Sequence, residues 1–106
     1  KSGLTAQSYF KKYPGRFAMW HVKDMDKAHA EPIVGKEYDQ LPLDSIFNKI
    51  KYTEVGTGAI DYTLLRESEK ESGLKLAFVE QDDIYMPNKF ESVKQSYAYV
   101  QKYLAK

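Results

Sequence analysis

Apolar residues along the chain gather in short runs separated by polar stretches, and the spacing inside each run predicts a different element. Two runs are nearly continuous, RFAMWHV at 16–22 and LKLAFV at 74–79. Short apolar runs rich in aromatic and branched side chains read as strands. The first is continuous enough to predict burial on both faces, as in a parallel sheet. Side chains alternate across a strand, so Phe17, Met19, His21 and Lys23 share one side and Ala18, Trp20 and Val22 the other. The second run extends to Asp82, and its inward set is either Leu76, Phe78 and Glu80 or Ala77, Val79 and Gln81. A shorter strand is predicted at KYTEVG, 51–56, ending in the tight turn Gly56-Thr57-Gly58.

Helical spacing appears in three places. TAQSYFKKY, 5–13, has Thr5 as a cap, Tyr9, Phe10 and Tyr13 on one face, and Pro14-Gly15 as a stop. A second helix begins at Ile60–Asp61, with Asp61 as N-cap and Ile60, Leu64 and Leu65 as its apolar face, and ends at Gly73. The strongest starts at Asn88, where Asn88 and Glu91 form a capping-box variant. There Phe90, Val93, Tyr97, Val100 and Leu104 make one apolar stripe. Residues 24–50 are polar and broken by Pro32, Gly35 and Pro42, with a helical turn expected near Leu43–Ile50. The order helix, strand, loop, strand, helix, strand, helix predicts βα units around a parallel sheet.

Composition narrows the function classes. The 106 residues fit one domain, and Lys+Arg 16 against Asp+Glu 15 leaves a net charge of +1. A protein that binds nucleic acid through its phosphates shows a basic excess or stripe, and neither is present. No run approaches the roughly 18–20 apolar residues of a membrane span. Cysteine is absent, so disulfides and thiolate chemistry are excluded. Cytoplasm and periplasm are equally compatible with this composition.

Candidate chemistry sits at the strand ends. In parallel α/β folds the C-terminal ends of strands carry the active site, and here those ends hold His21 and Glu80. Imidazole with carboxylate suits Mn²⁺, Mg²⁺, Co²⁺ or Zn²⁺. Trp20 points away from His21 by parity and is expected in the core. Gly56-Thr57-Gly58 is not a dinucleotide fingerprint, because the third glycine of that motif would fall at Asp61. Both glycines are expected to need freedom of φ. His29 lies in the polar loop and is expected to be solvated.

WHVKDMD, YTEVGTGAIDY, AFVEQDD and FESVKQSYAYV, in that order, resemble the last third of the sugar phosphate isomerases/epimerases of the xylose-isomerase-like TIM-barrel superfamily. The resemblance implies an α/β fold that is the C-terminal portion of a (β/α)8 barrel. Residues 17–24, 52–56 and 76–82 would be its sixth to eighth strands and 90–105 its closing helix. It also implies one divalent metal held by a Glu, an Asp, a His and a second Glu. His21 and Glu80 match the last two, and the others would lie upstream of Lys1. A complete barrel takes roughly 250 residues. The chain is therefore expected to be a segment of a longer polypeptide, inactive alone, and possible as a homo-oligomer.

The reaction implied is proton abstraction beside the carbonyl of a sugar or sugar phosphate, through an enediolate. Glu80 would act as metal ligand and general acid/base, and Lys23 would meet a substrate oxygen. Asp24, Glu54 and Gln81 would contact substrate or steady the site from behind, Asp24 alternatively capping the loop, with Asp82 beside them. Alternatives are an inosose-type dehydratase, a member resembling the abasic-site endonucleases, and a non-catalytic sugar-binding barrel. The endonuclease reading would need further metal-binding histidines and a basic face, and this segment has neither.

Overall fold

The two continuous apolar runs lie side by side in the computed structural model, which describes residues 4–30, 42, 44, 45, 48 and 50–104. β1 (Met19–Val22) pairs in parallel with β4 (Leu76–Val79), Met19 opposite Leu76 and Val22 opposite Val79. β2 (Asp24–Met25) follows β1 and pairs antiparallel with β3 (Tyr52–Thr53). Helices among the described residues include α1 (Ala6–Lys12), α2 (Tyr62–Arg66), α3 (Glu69–Ser72) and α4 (Lys89–Tyr103), with a 3-10 turn at Lys27–His29. The chain is thus an α/β domain built on a small parallel sheet. The segment 52–56 was expected to be a parallel strand between the other two. Instead β1 and β4 touch directly, and β3 runs back along the extension of β1. Beyond that extension the ladder ends with the Asp26 amide donating to the Lys51 carbonyl at 2.8 Å.

Local chemistry fixes the element ends. Thr5 Oγ1 accepts from the Ser8 amide at 3.3 Å and starts α1. Asp61 Oδ1 does the same for Leu64 at 3.0 Å. Asn88 Oδ1 caps α4 through the amides of Phe90 and Glu91, while the Glu91 carboxylate lies 3.7 Å from Lys94. Gly73 ends α3 in the left-handed region at φ 84°, where a side chain is strained. A Cβ there would also stand 2.8 Å from the Cα of Gly15, so the turn leading into β1 packs directly on the end of α3. The Gly15 and Phe17 amides complete that joint by donating to the carbonyls of Glu71 and Ser72.

The core lies on one side of the sheet. Phe10, Trp20, Val22, Val55, Tyr62, Val100 and Leu104 are buried together, with Phe10 stacked on Trp20 at 5.1 Å. The burial of Trp20 is as parity requires, though its indole N–H has no partner among the described residues. Several predicted faces are corrected. β1 is covered on one face only, since Met19 is 66% exposed while Val22 is 1% exposed. Of the α1 face only Phe10 is buried, and Tyr9 and Tyr13 are exposed. The second predicted helix is split into α2 and α3, and it buries Tyr62, Ser68 and Ser72 while Ile60 and Leu64 stay exposed.

The largest revision concerns α4. Its inward row is Ser92, Ser96, Val100 and Leu104, four residues apart, while Phe90, Val93 and Tyr97 face outward. The buried Val55 amide and the Gln81 side chain beneath the helix need polar partners, and a row headed by two serines supplies them. Residues 44 and 45 are helical, but most of the turn expected at Leu43–Ile50 lies outside the described residues. Among the described residues no helix is long and apolar enough to cross a membrane.

Candidate functional site

Because β1 and β4 are parallel and in register, their C-terminal ends emerge together. The Glu80 amide donates to the Val22 carbonyl at 3.1 Å and carries the pairing past the last strand residues. Strand parity then puts His21, Lys23 and Glu80 on the face that the helices do not cover. His21 Nδ1 lies 3.0 Å from Glu80 Oε2. Lys23 Nζ lies 3.3 Å from Glu80 Oε1 and 2.8 Å from Asp82 Oδ2. The Phe78 ring, on the same open face, lies edge-on to the imidazole at 5.7 Å and flanks the cluster.

The electrostatics follow from these contacts. The bond to Asp82, then that to Glu80, raises the Lys23 ammonium above its ordinary pKa, although partial burial works the other way. The same bond holds the Asp82 carboxyl below its ordinary value. Both partners are therefore charged at neutral pH. Burial, followed by the nearness of Asp82, raises the phenol of Tyr52, whose ring lies 6.0 Å from Lys23 Nζ. The Tyr62 hydroxyl donates to the Lys23 carbonyl and fixes the backbone at this point. Burial and the nearby Asp24 carboxylate push that phenol strongly upward, so it stays a donor.

The other candidates point elsewhere. Asp24 follows Trp20 and Val22 by parity, not His21, and is 1% exposed. Its carboxylate accepts from the amides of Met25, Gly56, Gly58 and Ile60 at 2.9–3.1 Å. It therefore caps the loop, and its expected contact with substrate is set aside. The same turn explains the glycines. Gly56 has φ +91° and lies under the Tyr99 ring, whereas Gly58 shows no positive φ and is required because a Cβ would strike Asp24.

Glu54 and Gln81, expected near substrate, face α4 instead. Ser92 Oγ donates to Glu54 Oε1 at 2.7 Å and accepts from Gln81 Nε2 at 3.0 Å. Ser96 Oγ donates to Gln81 Oε1 at 2.8 Å and accepts from the Val55 amide at 3.0 Å. This chain of hydrogen bonds locks the helix to the strand ends from behind. His29 is not merely solvated, since Nδ1 lies 3.4 Å from Asp26 Oδ1.

Tyr52, Tyr62, Ser92 and Ser96 were not singled out from sequence. The serines had a signal, their four-residue phase with Val100 and Leu104, but polar side chains read as outward. The tyrosines had none, because their partners are far along the chain. Among the described residues no three His, Cys, Asp or Glu side chains gather into a group that could hold a metal ion. His21 and Glu80 form a pair to which other ligands would have to be added. No protein-family model, curated protein or solved structure matches the chain.

Proposed function

We propose that this chain is the C-terminal part of a sugar isomerase or epimerase barrel, and that His21 and Glu80 contribute to its metal and proton-transfer site. The observation that carries the reading is their meeting at the C-terminal ends of two neighbouring parallel strands. In an octahedral site, ligand atoms at right angles and about 2.1 Å from the ion stand about 3.0 Å apart. That is the separation of His21 Nδ1 and Glu80 Oε2. The same 3.0 Å is a direct His–carboxylate contact, which a divalent ion such as Mn²⁺, Mg²⁺ or Co²⁺ would replace by taking both atoms as ligands.

Three further features support the barrel. Among the described residues both edges of the parallel sheet are unpaired. The open face carries Met19, Leu76 and Phe78 below the polar cluster, an apolar layer beneath a site, as barrel interiors have. Beside β1, Phe10, Trp20, Ile60 and Leu65 line an apolar hollow of about 360 Å³. A neighbouring βα unit would fill that hollow. With β1 adjacent to β4, the two are consecutive staves, and β3 belongs to the connection between them.

A bound cation would polarise the sugar carbonyl and stabilise the oxyanion that develops there. Glu80 Oε1 takes the proton from the carbon beside the carbonyl and returns it, and Lys23 donates to the oxygen on the neighbouring carbon. Asp82 keeps Lys23 charged and oriented. The test is α-proton exchange in deuterated water by the full-length polypeptide with ketoses, 3-keto sugars and inososes. Exchange that is lost in Glu80→Gln and His21→Ala is the expected result. Undiminished exchange in Glu80→Gln, or none with any of these compounds, contradicts the proposal, and water loss from an inosose assigns a dehydratase.

A further inference from the structure

Next to the cluster, Tyr52, Tyr85, Asp82 and Asp83 line a cavity of about 360 Å³, with Asn48 and Ile50 completing its wall. The Tyr85 hydroxyl donates to Asp83 Oδ2 at 3.3 Å, and the Ile84 amide donates to Asp83 Oδ1 at 3.0 Å, so this carboxylate is oriented from both sides. Asp82 joins the cavity to the catalytic cluster through Lys23. Resting on the isomerase reading above, we infer that this cavity receives the far end of the sugar, and that the sugar is an unphosphorylated polyol.

Donors and acceptors in the cavity distinguish a sugar from a sugar phosphate. Ionised carboxylates only accept hydrogen bonds. Sugar hydroxyls donate to them, whereas a phosphate also only accepts and carries about −1.5 to −2 charge at pH 7. Against Asp82 and Asp83 it meets like charge and no donor from either. Lys23, bonded to Asp82 at 2.8 Å and Glu80 at 3.3 Å, is not among the residues lining the cavity and serves the reacting end of the sugar in the reading above. Lys51 lies 4.9 Å from the centre of the Tyr85 ring, where its ammonium is held by the π face. The two tyrosine rings supply flat apolar walls for the C–H faces of a sugar, with few polar groups to orient it.

Saturation-transfer NMR on the full chain tests this with D-fructose, D-fructose 6-phosphate and inorganic phosphate as probes. D-fructose is expected to receive saturation and to shift the Tyr85 ring signals, with the phosphorylated sugar at least about tenfold weaker and inorganic phosphate without effect. Tyr85→Leu and Asp83→Asn, both at exposed positions, are each expected to weaken fructose binding by about threefold to tenfold. Lys51→Ala should leave it unchanged. Equal or tighter binding of the phosphorylated sugar overturns the inference, as do competition by phosphate, indifference to both variants, or no fructose binding at all. The two readings fail separately. Fructose binding at this wall without α-proton exchange refutes the isomerase and keeps the cavity, whereas exchange of the sugar phosphate alone refutes the cavity and keeps the isomerase.

Discussion

The two faces of the β1–β4 sheet are made from the same two strands and differ in almost every physical respect. On the helix-covered face, Trp20, Val22 and Asp24 are buried, and the row from Val55 through Ser96, Gln81 and Ser92 to Glu54 satisfies its polar groups internally. On the other, the His21 side chain is 68% and that of Glu80 43% exposed, and the charges pair with one another at the rim. Buried polar groups are costly unless each finds a partner, so the covered face spends its polar residues on holding the fold. The open face keeps its polar residues accessible. Alternation along one strand is enough to separate the two tasks.

Substitutions should therefore divide by parity. Within this chain the largest effect is expected at Asp24→Ala, which strips the acceptor from the amides of Met25, Gly56, Gly58 and Ile60. It should cost about 3 kcal/mol in urea unfolding, and a loss below about 1 kcal/mol would break the assignment of Asp24 to the fold. Ser96→Ala leaves the Val55 amide and the Gln81 carbonyl unpaired. About 2 kcal/mol should be lost in the same assay, without change at the His21 ring in NMR spectra.

Phe78→Ser, on the open face, should shift the stability of the 106-residue chain by no more than about 0.5 kcal/mol. In a full-length barrel, where that face is interior, the same change should cost about 3 kcal/mol or more. Equal effects in the two settings would remove the barrel reading.

The smallest effect is the Lys23–Asp82 pair, read as the difference in urea midpoint between the chain and Asp82→Asn across pH. Asp82 is lowered chiefly by the Lys23 bond, so its contribution is present above the ordinary value of 3.8 and is lost as pH falls through the lower folded value. Lys23 is raised chiefly by Asp82, so its contribution is complete below 10.5 and is lost as pH rises through the higher folded value. The two curves should run parallel between these limits and converge beyond both. A difference that instead changes between those limits would show that the pair does not carry the effect.

What could be read from sequence was whatever depends on near neighbours. Thr5, Asp61, Asn88 and Gly73 act within a few residues of themselves, and each is where the pattern put it. The parity that places His21 with Lys23 is equally local, and the meeting of His21 with Glu80 needed only two parallel strands in register. Asp24 was ambiguous because its partners lie 32–36 residues away and a carboxylate at a strand end looks the same whichever way it turns. The antiparallel return of β3 and the inward serines of α4 depend on what packs against them. An apolar stripe through Phe90, Val93 and Tyr97 is present in the sequence, yet Phe90 is 87% exposed. The four-residue phase of Ser92, Ser96, Val100 and Leu104, not that stripe, decides which side of α4 turns inward.

The most direct test of a metal site on the open face is to add Mn²⁺ in stoichiometric steps to ¹⁵N-labelled protein and follow paramagnetic broadening of the amides. Broadening is expected earliest at His21, Glu80 and Asp82, and its loss is expected in His21→Ala. Broadening centred on Asp26 and His29, or spread evenly over the surface carboxylates and unchanged in that variant, would contradict a metal site on that face.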